Sequence, residues 1–268
     1  MQSSWKLGRW AGIDVYLHST FMLILAYAGM VLGGFPAILL VVAAFSCVLL
    51  HEFGHALMAR RFGIETEDIT LYPIGGVARL RRMPKSPGAE MAIALAGPAV
   101  NVVIAAILAL VLGLGLFDGP GTPVILGAFA MNLLSINIVL VLFNMIPAFP
   151  MDGGRVLRAA LSGWLGRVRA TMIAASIGRG LATLFGLYSL VHGDWFQVIL
   201  AMFIYVVAGA ELRQVLAEGR SDSDSDSHNG SDDVWVAPPG FRWVSRGKGV
   251  WQLAPIVVHT SNRPSPWR

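Results

Sequence analysis

The chain has 268 residues, of which 55% are hydrophobic and only 13% are charged, and its formal net charge is +4. Its mean hydropathy of +0.64 is too high for an ordinary soluble domain, so the composition excludes a purely water-soluble enzyme and predicts a membrane protein. The basic excess does not indicate nucleic-acid binding, because membrane topology accounts for the position of the arginines between apolar stretches.

Six apolar stretches alternate with more polar connections, and most of them approach the roughly 20 residues that a helix needs to cross a bilayer. They cover residues 17–34, 37–59, 89–116, 124–146, 171–191 and 195–212, of which the first and last are marginal. We therefore predict an all-α polytopic membrane protein with about six transmembrane helices, in contact with the lipid bilayer.

Positive charge lies on one side of these predicted spans. Lysines and arginines occur in the N-terminal segment and in 60–85, 155–169 and 213–220, whereas the opposite connections contain neither residue. The positive-inside rule then predicts that both termini are cytoplasmic. We expect an integral, multi-pass protein of a prokaryotic cell (inner) membrane.

The second apolar stretch contains His51-Glu52-Phe53-Gly54-His55. Positions i and i+4 of a helix share a face, so both imidazoles can bind one metal ion while Glu52 holds a water. The alternative is that these residues only satisfy one another, but ionisable groups inside spans are costly and usually functional. About 15 Å of helix separates His51 from the Arg60-Arg61 pair, which predicts a site within the hydrocarbon region on its cytoplasmic side.

Two further segments near this motif have a recognisable pattern. Residues 65–82 combine β-branched and aromatic residues with Pro73, Gly75 and Gly76, which predicts a small β-hairpin at the cytoplasmic interface. Its edge could hold an extended peptide by backbone pairing, although a purely structural hairpin fits the same pattern. The small residues of 96–100 predict close packing between helices, at which Asn101 can hydrogen-bond to a neighbouring helix.

The end of the fourth stretch is broken by Pro147, Pro150 and a Gly-Gly pair, which free backbone groups that lipid cannot satisfy. Asp152 lies between these breakers, so it can turn inward as an oxygen ligand and complete a two-His, one-carboxylate zinc site with an open fourth position. Asn144, beside the break, could hold a substrate backbone or stabilise negative charge. A fourth helix that continued to Ile146 would carry Asp152 past His51 unless the chain tilts or turns back.

The motif at 51–55 together with Asn144-Met145-Ile146-Pro147-Ala148-Phe149-Pro150-Met151-Asp152-Gly153-Gly154 resembles the site-2 protease family of intramembrane zinc metallopeptidases. The resemblance covers about residues 5–215, and its one mild departure is Met151, where Leu is commoner. The resemblance implies a Zn²⁺ cofactor bound by His51, His55 and Asp152. It also implies that Glu52 is the catalytic residue and that Asn144 and Pro150 contact the substrate.

The C-terminal part departs from the family branch that the chain most resembles, which often continues into paired nucleotide-binding cystathionine-β-synthase modules. We expect a membrane-embedded metalloprotease domain over 1–217 and a short form without those modules. The Ser- and Asp-rich residues 218–233 have nothing to bury, which predicts a flexible linker. Residues 234–268, with four tryptophans, are expected to form a cytoplasmic tail element that docks a partner or lies on the membrane surface.

The predicted function is an intramembrane zinc endopeptidase that cuts a single-span membrane protein near its cytoplasmic end. Glu52 would activate the attacking water and return its proton to the departing amine. The substrate helix must unwind locally, because its paired backbone is poorly exposed to attack. Two alternatives remain at this point, a divalent-metal transporter and a catalytically inactive membrane adaptor, and the sequence does not assign an oligomeric state.

Overall fold

The computed structural model describes residues 4–82, 84, 86–117, 119, 123–229, 241–245 and 251–255. The chain divides into two compact units, Met1–Glu218 and Gly219–Arg268. The elements in chain order are β1 Ser4–Trp10, β2 Ile13–His18, α1 Phe21–Tyr27, a π-helical segment Ala28–Gly33, α2 Phe35–Arg61, β3 Thr66–Tyr72, β4 Gly75–Leu80, α3 Pro87–Gly113, α4 Val124–Asn144, α5 Asp152–Leu165, α6 Arg167–His192, α7 Trp195–Asn229, β5 Phe241–Ser245 and β6 Trp251–Pro255.

Among the described residues, five helices are long and apolar enough to cross a membrane. They are α2, α3, α4, α6 and the Trp195–Ala217 part of α7. The predicted fold class, a multi-pass α-helical membrane protein with a small sheet, is confirmed. The first predicted stretch differs, because α1 and the π-helical segment together span about 20 Å, less than the roughly 30 Å of a bilayer core.

The chain from Ala11 to Gly33 runs antiparallel to α2, which explains why its helix is short. The Arg60 side chain donates to the Ala11 carbonyl oxygen at 3.2 Å. Farther along α2, the Phe21 and Phe45 rings meet edge to face with centroids 4.7 Å apart. β2 packs beside the half of α2 that ends at Arg61. The α1 helix and the π-helical segment therefore pack only along the other half of α2, which limits their length.

A four-stranded sheet with the order β1-β2-β3-β4 packs on α2. The predicted hairpin is β3–β4, with Ile69 opposite Ala78 and Leu71 opposite Gly76, and β2 joins it by parallel pairing with β3. Ile13 and Ile69 pack against Ala56 of α2, which fixes the sheet on the helix that carries the histidines. Sequence analysis did not predict β1 and β2, because their strand pattern runs directly into the apolar stretch that follows.

The helix α6 presents small residues to the loop between α4 and α5. Ala174, Ala175 and Phe149 share one buried cluster, and the Phe149 amide donates to the Ala174 carbonyl oxygen at 3.4 Å. A Cβ at Gly178 would collide with the Phe149 backbone. The small side chains of α6 therefore let this loop lie directly on the helix, which fixes where α5 begins.

In the second unit, β5 and β6 form an antiparallel hairpin with Trp243 opposite Leu253. The helix α7 continues through the Ser- and Asp-rich segment as far as Asn229, where composition predicts a flexible linker. Helix propagation is easier than nucleation, so a long apolar helix can extend into residues that would not start one. The interpretation of 234–268 as a tail element remains a prediction, and most of that range lies outside the described residues.

Candidate metal centre

The helix α2 places His51 and His55 on one face, one turn apart. Their Nε2 atoms lie 3.0 Å from each other, and the two rings are nearly perpendicular. Both side chains are buried. The i, i+4 spacing thus brings two imidazole nitrogens to a single point in the protein interior.

Asp152 reaches the same point from the first residue of α5. Its Oδ2 atom lies 3.1 Å from His51 Nε2 and 3.2 Å from His55 Nε2. The helix α4 ends at Asn144, and residues 145–151 turn back through hydrogen bonds such as Met151 N–H to the Ala148 carbonyl oxygen. This turn prevents Asp152 from being carried past His51, and the three predicted ligands come together.

The remaining nitrogens of the two imidazoles are held by protein acceptors. The His55 Nδ1–H donates to the Ile93 carbonyl oxygen at 2.7 Å, and the His51 Nδ1–H donates to Asn101 Oδ1 at 3.1 Å. Each Nε2 is then left with a lone pair, the arrangement found in metal-binding histidines. Ile93 and Asn101 both belong to α3, so this helix orients both rings.

Two imidazole lone pairs and a carboxylate oxygen therefore converge without a donor between them. The ionised carboxylate is the form of Asp152 that binds a metal. The ligand atoms all lie within 4.8 Å of one another. A cation bound to all three removes their mutual repulsion, and an N,N,O set suits zinc.

Glycines allow α2 and α3 to approach closely at this point. A Cβ at Gly97 would lie 2.7 Å from His51 Nε2 and even closer to the His55 ring. A Cβ at Gly54 would lie 2.7 Å from the Ala96 carbonyl oxygen. The close packing predicted for residues 96–101 is therefore the contact that brings α3 against the imidazoles.

Glu52 lies against β4 at the wall of a cleft. A Cβ at Gly76 would lie 2.6 Å from Glu52 Cγ, so this strand passes directly over the glutamate. The cleft has a volume of about 410 Å³, and its wall includes all six residues that the sequence singled out. These residues are His51, Glu52, His55, Asn144, Pro150 and Asp152.

Asn144 and Pro150 line the cleft, but they do not touch the metal ligands. The Asn144 amide donates one hydrogen bond to the Leu140 carbonyl oxygen at 3.0 Å. Its other N–H and its carbonyl oxygen have no hydrogen-bond partner among the described residues. Their role in handling a substrate remains a prediction.

Sequence reasoning missed three polar residues of this region. Asn101 was assigned to packing, although it orients His51. Arg155 and Glu211 also line the cleft, and both were treated only as part of the charge pattern or not at all. For Arg155 a signal existed, because it lies three residues after Asp152 and shares a helical face with it.

A second buried polar cluster centres on Arg158, whose side chain is only 1% exposed. Its guanidinium contacts Glu90 of α3 at 2.5 Å and Glu211 of α7 at 2.8 Å. The same group lies 4.9 Å from the centre of the Phe149 ring, in the loop before Asp152. This cluster joins α3, α5 and α7 beside the metal ligands.

The fold and the site define an integral, multi-pass membrane protein with a buried HExxH metal centre. The sequence model of peptidase family M50 matches residues 39–187, more than half of the chain. The chain therefore belongs to peptidase family M50, and the resemblance to site-2 proteases is confirmed.

Individual relatives agree with this assignment. A zinc metalloprotease of Methanocaldococcus jannaschii is 38% identical over 222 residues, which cover 81% of this chain and 63% of the relative. The Mycobacterium tuberculosis protein named as zinc metalloprotease Rip3 is 36% identical over 79% of this chain and 59% of its own length. The chain thus spans about three fifths of the curated relatives that it matches.

A solved structure extends the similarity to the fold. The structure of the site-2 protease from Methanocaldococcus jannaschii superimposes with a TM-score of 0.59 at 35% identity. The superposition covers 78% of this chain and 95% of the other. The helical fold of this chain is therefore similar to that of the Methanocaldococcus jannaschii protease.

Proposed function

We propose that this protein is an intramembrane zinc endopeptidase that hydrolyses a peptide bond in or near the transmembrane segment of a single-span membrane protein. The convergence of His51, His55 and Asp152 beside Glu52 in one cleft carries this proposal. The names of the relatives, zinc metalloproteases and a site-2 protease, support it.

Zinc fits the three ligands, because two imidazole nitrogens and one carboxylate oxygen leave a fourth coordination position free. When bound, the ion supplies Lewis-acid polarisation of a water molecule and of the substrate carbonyl. Asn101 and the Ile93 carbonyl hold the two rings so that their Nε2 atoms face the Asp152 carboxylate. The protein thus contributes a fixed, buried ligand set.

Glu52 is the proposed general base. Its side chain lies in the same cleft and is one residue from His51, on the side of α2 that faces Gly76. It accepts a proton from the attacking water and later donates that proton to the nitrogen of the departing amine. A base of this kind contributes about 10²- to 10⁴-fold to the rate.

The cleft wall is suited to an extended substrate segment. β4 is one of the two edge strands of the sheet, and residues 74–78 line the cleft together with Leu80. An unwound peptide can pair with the free backbone groups of such an edge, which would lay it across the metal ligands. Apolar side chains of α7 also line the cleft and suit a segment drawn from a membrane helix. They are Leu200, Phe203 and Ile204.

The same proposal includes the side of the membrane. Arg60 and Arg61 end α2, nine and ten residues beyond His51, and basic residues favour the cytoplasmic side. The catalytic site then lies within the membrane toward the cytoplasm. Both termini are cytoplasmic in this proposal, because Ala11 lies beside Arg60 and the chain from Ala11 to Gly33 makes one crossing along α2 before the five long helices. A prokaryotic cell membrane is the proposed location. Labelling of single cysteines introduced at residue 6 and residue 119 from each side of the membrane tests this orientation.

The decisive experiment compares the full-length protein with Glu52→Gln in detergent or liposomes. The readout is cleavage of a panel of doubly tagged single-span membrane proteins. Glu67→Gln is the matched control, because that side chain is exposed on β3. We expect Glu52→Gln to retain one zinc ion per chain and to lose cleavage by about 10²-fold or more, with the control unchanged.

Equal zinc-dependent cleavage by Glu52→Gln and wild type would sink the assignment of Glu52. Zinc flux into liposomes without cleavage of any panel member would favour a metal transporter instead. The Glu52→Gln variant also retains the substrate uncut, so cross-linking followed by mass spectrometry identifies the segment that the cleft holds.

A further inference from the structure

Arg155 lines the cleft, but neither metal binding nor the proton transfer by Glu52 gives it a role. It lies three residues after Asp152 on α5, and therefore on a neighbouring position of the same helical face. Its half-buried side chain lines the cleft. The carboxylates of Glu52 and Asp152 line the same cleft.

The guanidinium of Arg155 has no hydrogen-bond or ion-pair partner among the described residues. Arg158, one turn farther along α5, is held by Glu90 and Glu211. Glu211 also lines the cleft, yet its ion pair is with Arg158 and not with Arg155. The donors of Arg155 are thus left for a group that enters the cleft.

Hydrolysis of an amide is accelerated by hydrogen-bond donors near the carbonyl oxygen. As water adds to the carbonyl carbon, the carbonyl oxygen acquires negative charge, which preorganised donors stabilise. Among the charged and amide side chains that line the cleft in the described part of the chain, three are metal ligands, and Glu52 and Glu211 are carboxylates. Only Asn144 and Arg155 remain as donors, and Arg155 is the one cation of this set.

We propose that Arg155 is a catalytic residue that donates hydrogen bonds to the carbonyl oxygen of the scissile peptide bond as its negative charge develops. This inference rests on the proposed peptidase function and adds a residue to that site. The planar guanidinium presents several donors, so it could donate to an oxygen held in the cleft while Glu52 remains free to transfer the proton. The chemistry of hydrolysis is otherwise unchanged, since Arg155 neither gains nor loses a proton.

The test compares wild type, Arg155→Ala, Arg155→Lys and the control Arg169→Ala, with a panel protein that wild type cleaves. Arg169 is an exposed arginine on α6 that does not line the cleft. We expect Arg155→Ala to lower kcat by about 10²- to 10³-fold, the usual loss of one oxyanion donor, with KM changed less than about threefold. Zinc content should stay at one ion per chain, and Arg155→Lys should fall between wild type and Arg155→Ala.

Chemical rescue separates direct stabilisation from a structural role. Added guanidinium at millimolar concentration should raise kcat of Arg155→Ala and leave Arg169→Ala unchanged. A kcat within twofold of wild type, a loss of zinc that accounts for the lost activity, or the absence of guanidinium rescue would each overturn the role of Arg155. If Arg155→Ala fails to fold, Arg155→Lys decides, because a kcat equal to wild type would overturn it too. Absence of cleavage by wild type would instead contradict the peptidase function itself.

Discussion

Two buried polar clusters include residues of α5, one around Asp152 and one around Arg158, six residues farther along. They differ in whether each cluster contains both acceptors and a donor. Around Asp152, three acceptor atoms face each other at 3.0–3.2 Å with no donor between them. Around Arg158, one guanidinium lies between two carboxylates. The first cluster needs a cation from outside the chain and the second supplies its own, so only the first has the chemistry of a binding site.

The comparison predicts opposite effects of mutation on metal binding and on stability. Removing a member of the Asp152 cluster should remove metal and activity, yet it relieves repulsion in the metal-free protein. Removing the cation of the Arg158 cluster should leave buried carboxylates without a partner and destabilise the fold. The variants below test this division, beginning with the largest expected effect.

Asp152→Asn should have the largest effect, because it removes the ionised ligand while keeping the shape of the side chain. We expect zinc affinity to fall by more than the 10- to 100-fold typical of losing a residue that only supports a ligand, and cleavage to disappear. The zinc content of the purified protein, measured by mass spectrometry, checks this. Asp194→Asn is the control, since Asp194 is exposed between α6 and α7.

Thermal unfolding of metal-free Asp152→Asn supplies the second half of that test. Its midpoint should be equal to or higher than that of metal-free wild type, because the substitution removes repulsion between acceptor atoms and the carboxylate has no donor to lose. A large drop in the midpoint would show that the cluster is structural, and the division between the two clusters would then fail.

Arg158→Met should instead destabilise the protein by about 3–5 kcal/mol, the usual result of removing one partner of a buried ion pair. Arg169→Met, on the exposed face of α6, should stay within about 0.5 kcal/mol of wild type. Unfolding in detergent micelles with increasing denaturant measures both. Adding Glu90→Gln and Glu211→Gln to Arg158→Met should recover part of the loss, because no buried charge then remains. No recovery would mean that packing of the arginine, and not charge, is responsible.

The Asp152 cluster could be predicted from the sequence and the Arg158 cluster could not. His51 and His55 are on one helix, where spacing alone fixes their common face, and the breakers around Asp152 indicated a chain that turns inward. The partners of Arg158 lie 68 and 53 residues away along the chain. Nothing local connects them, since they meet only because α3, α5 and α7 pack together.

The length of the first helix and the role of Asn101 were beyond sequence reasoning for the same physical reason. Residues 17–34 are apolar enough for a span, but β2 pairs with β3 and takes up half of the length of α2. Asn101 follows the small residues expected at a helix contact, and only the packing of α3 on α2 brings its Oδ1 atom to His51. In both cases tertiary contacts, and not local pattern, decide the outcome.

Gly97→Ala should have an intermediate effect, because its new Cβ would lie against both imidazoles. Overpacking of this kind costs about 1–3 kcal/mol and should displace the rings from the metal. Gly113→Ala is a matched control at the other end of α3, where a Cβ meets nothing within 4 Å. We expect Gly113→Ala to be neutral or slightly stabilising in unfolding assays. Equal zinc affinity in the two variants would contradict the close contact of α3 with the site.

Asn101→Ala should have the smallest of these effects, since it leaves all three ligands in place and removes only the acceptor for His51 Nδ1–H. Loss of such an orienting partner weakens metal binding by about 10- to 100-fold, which competition with a zinc chelator measures. Asn137→Ala is the matched control, because Asn137 is equally buried but bonds to the Leu133 carbonyl oxygen and to Cys47 Sγ. Both variants lose a buried amide and should be destabilised alike, so only a difference in zinc affinity distinguishes support of a ligand from packing. If the two affinities were equal, α2 alone would orient His51, and the hydrogen bond to Asn101 would not contribute to zinc binding.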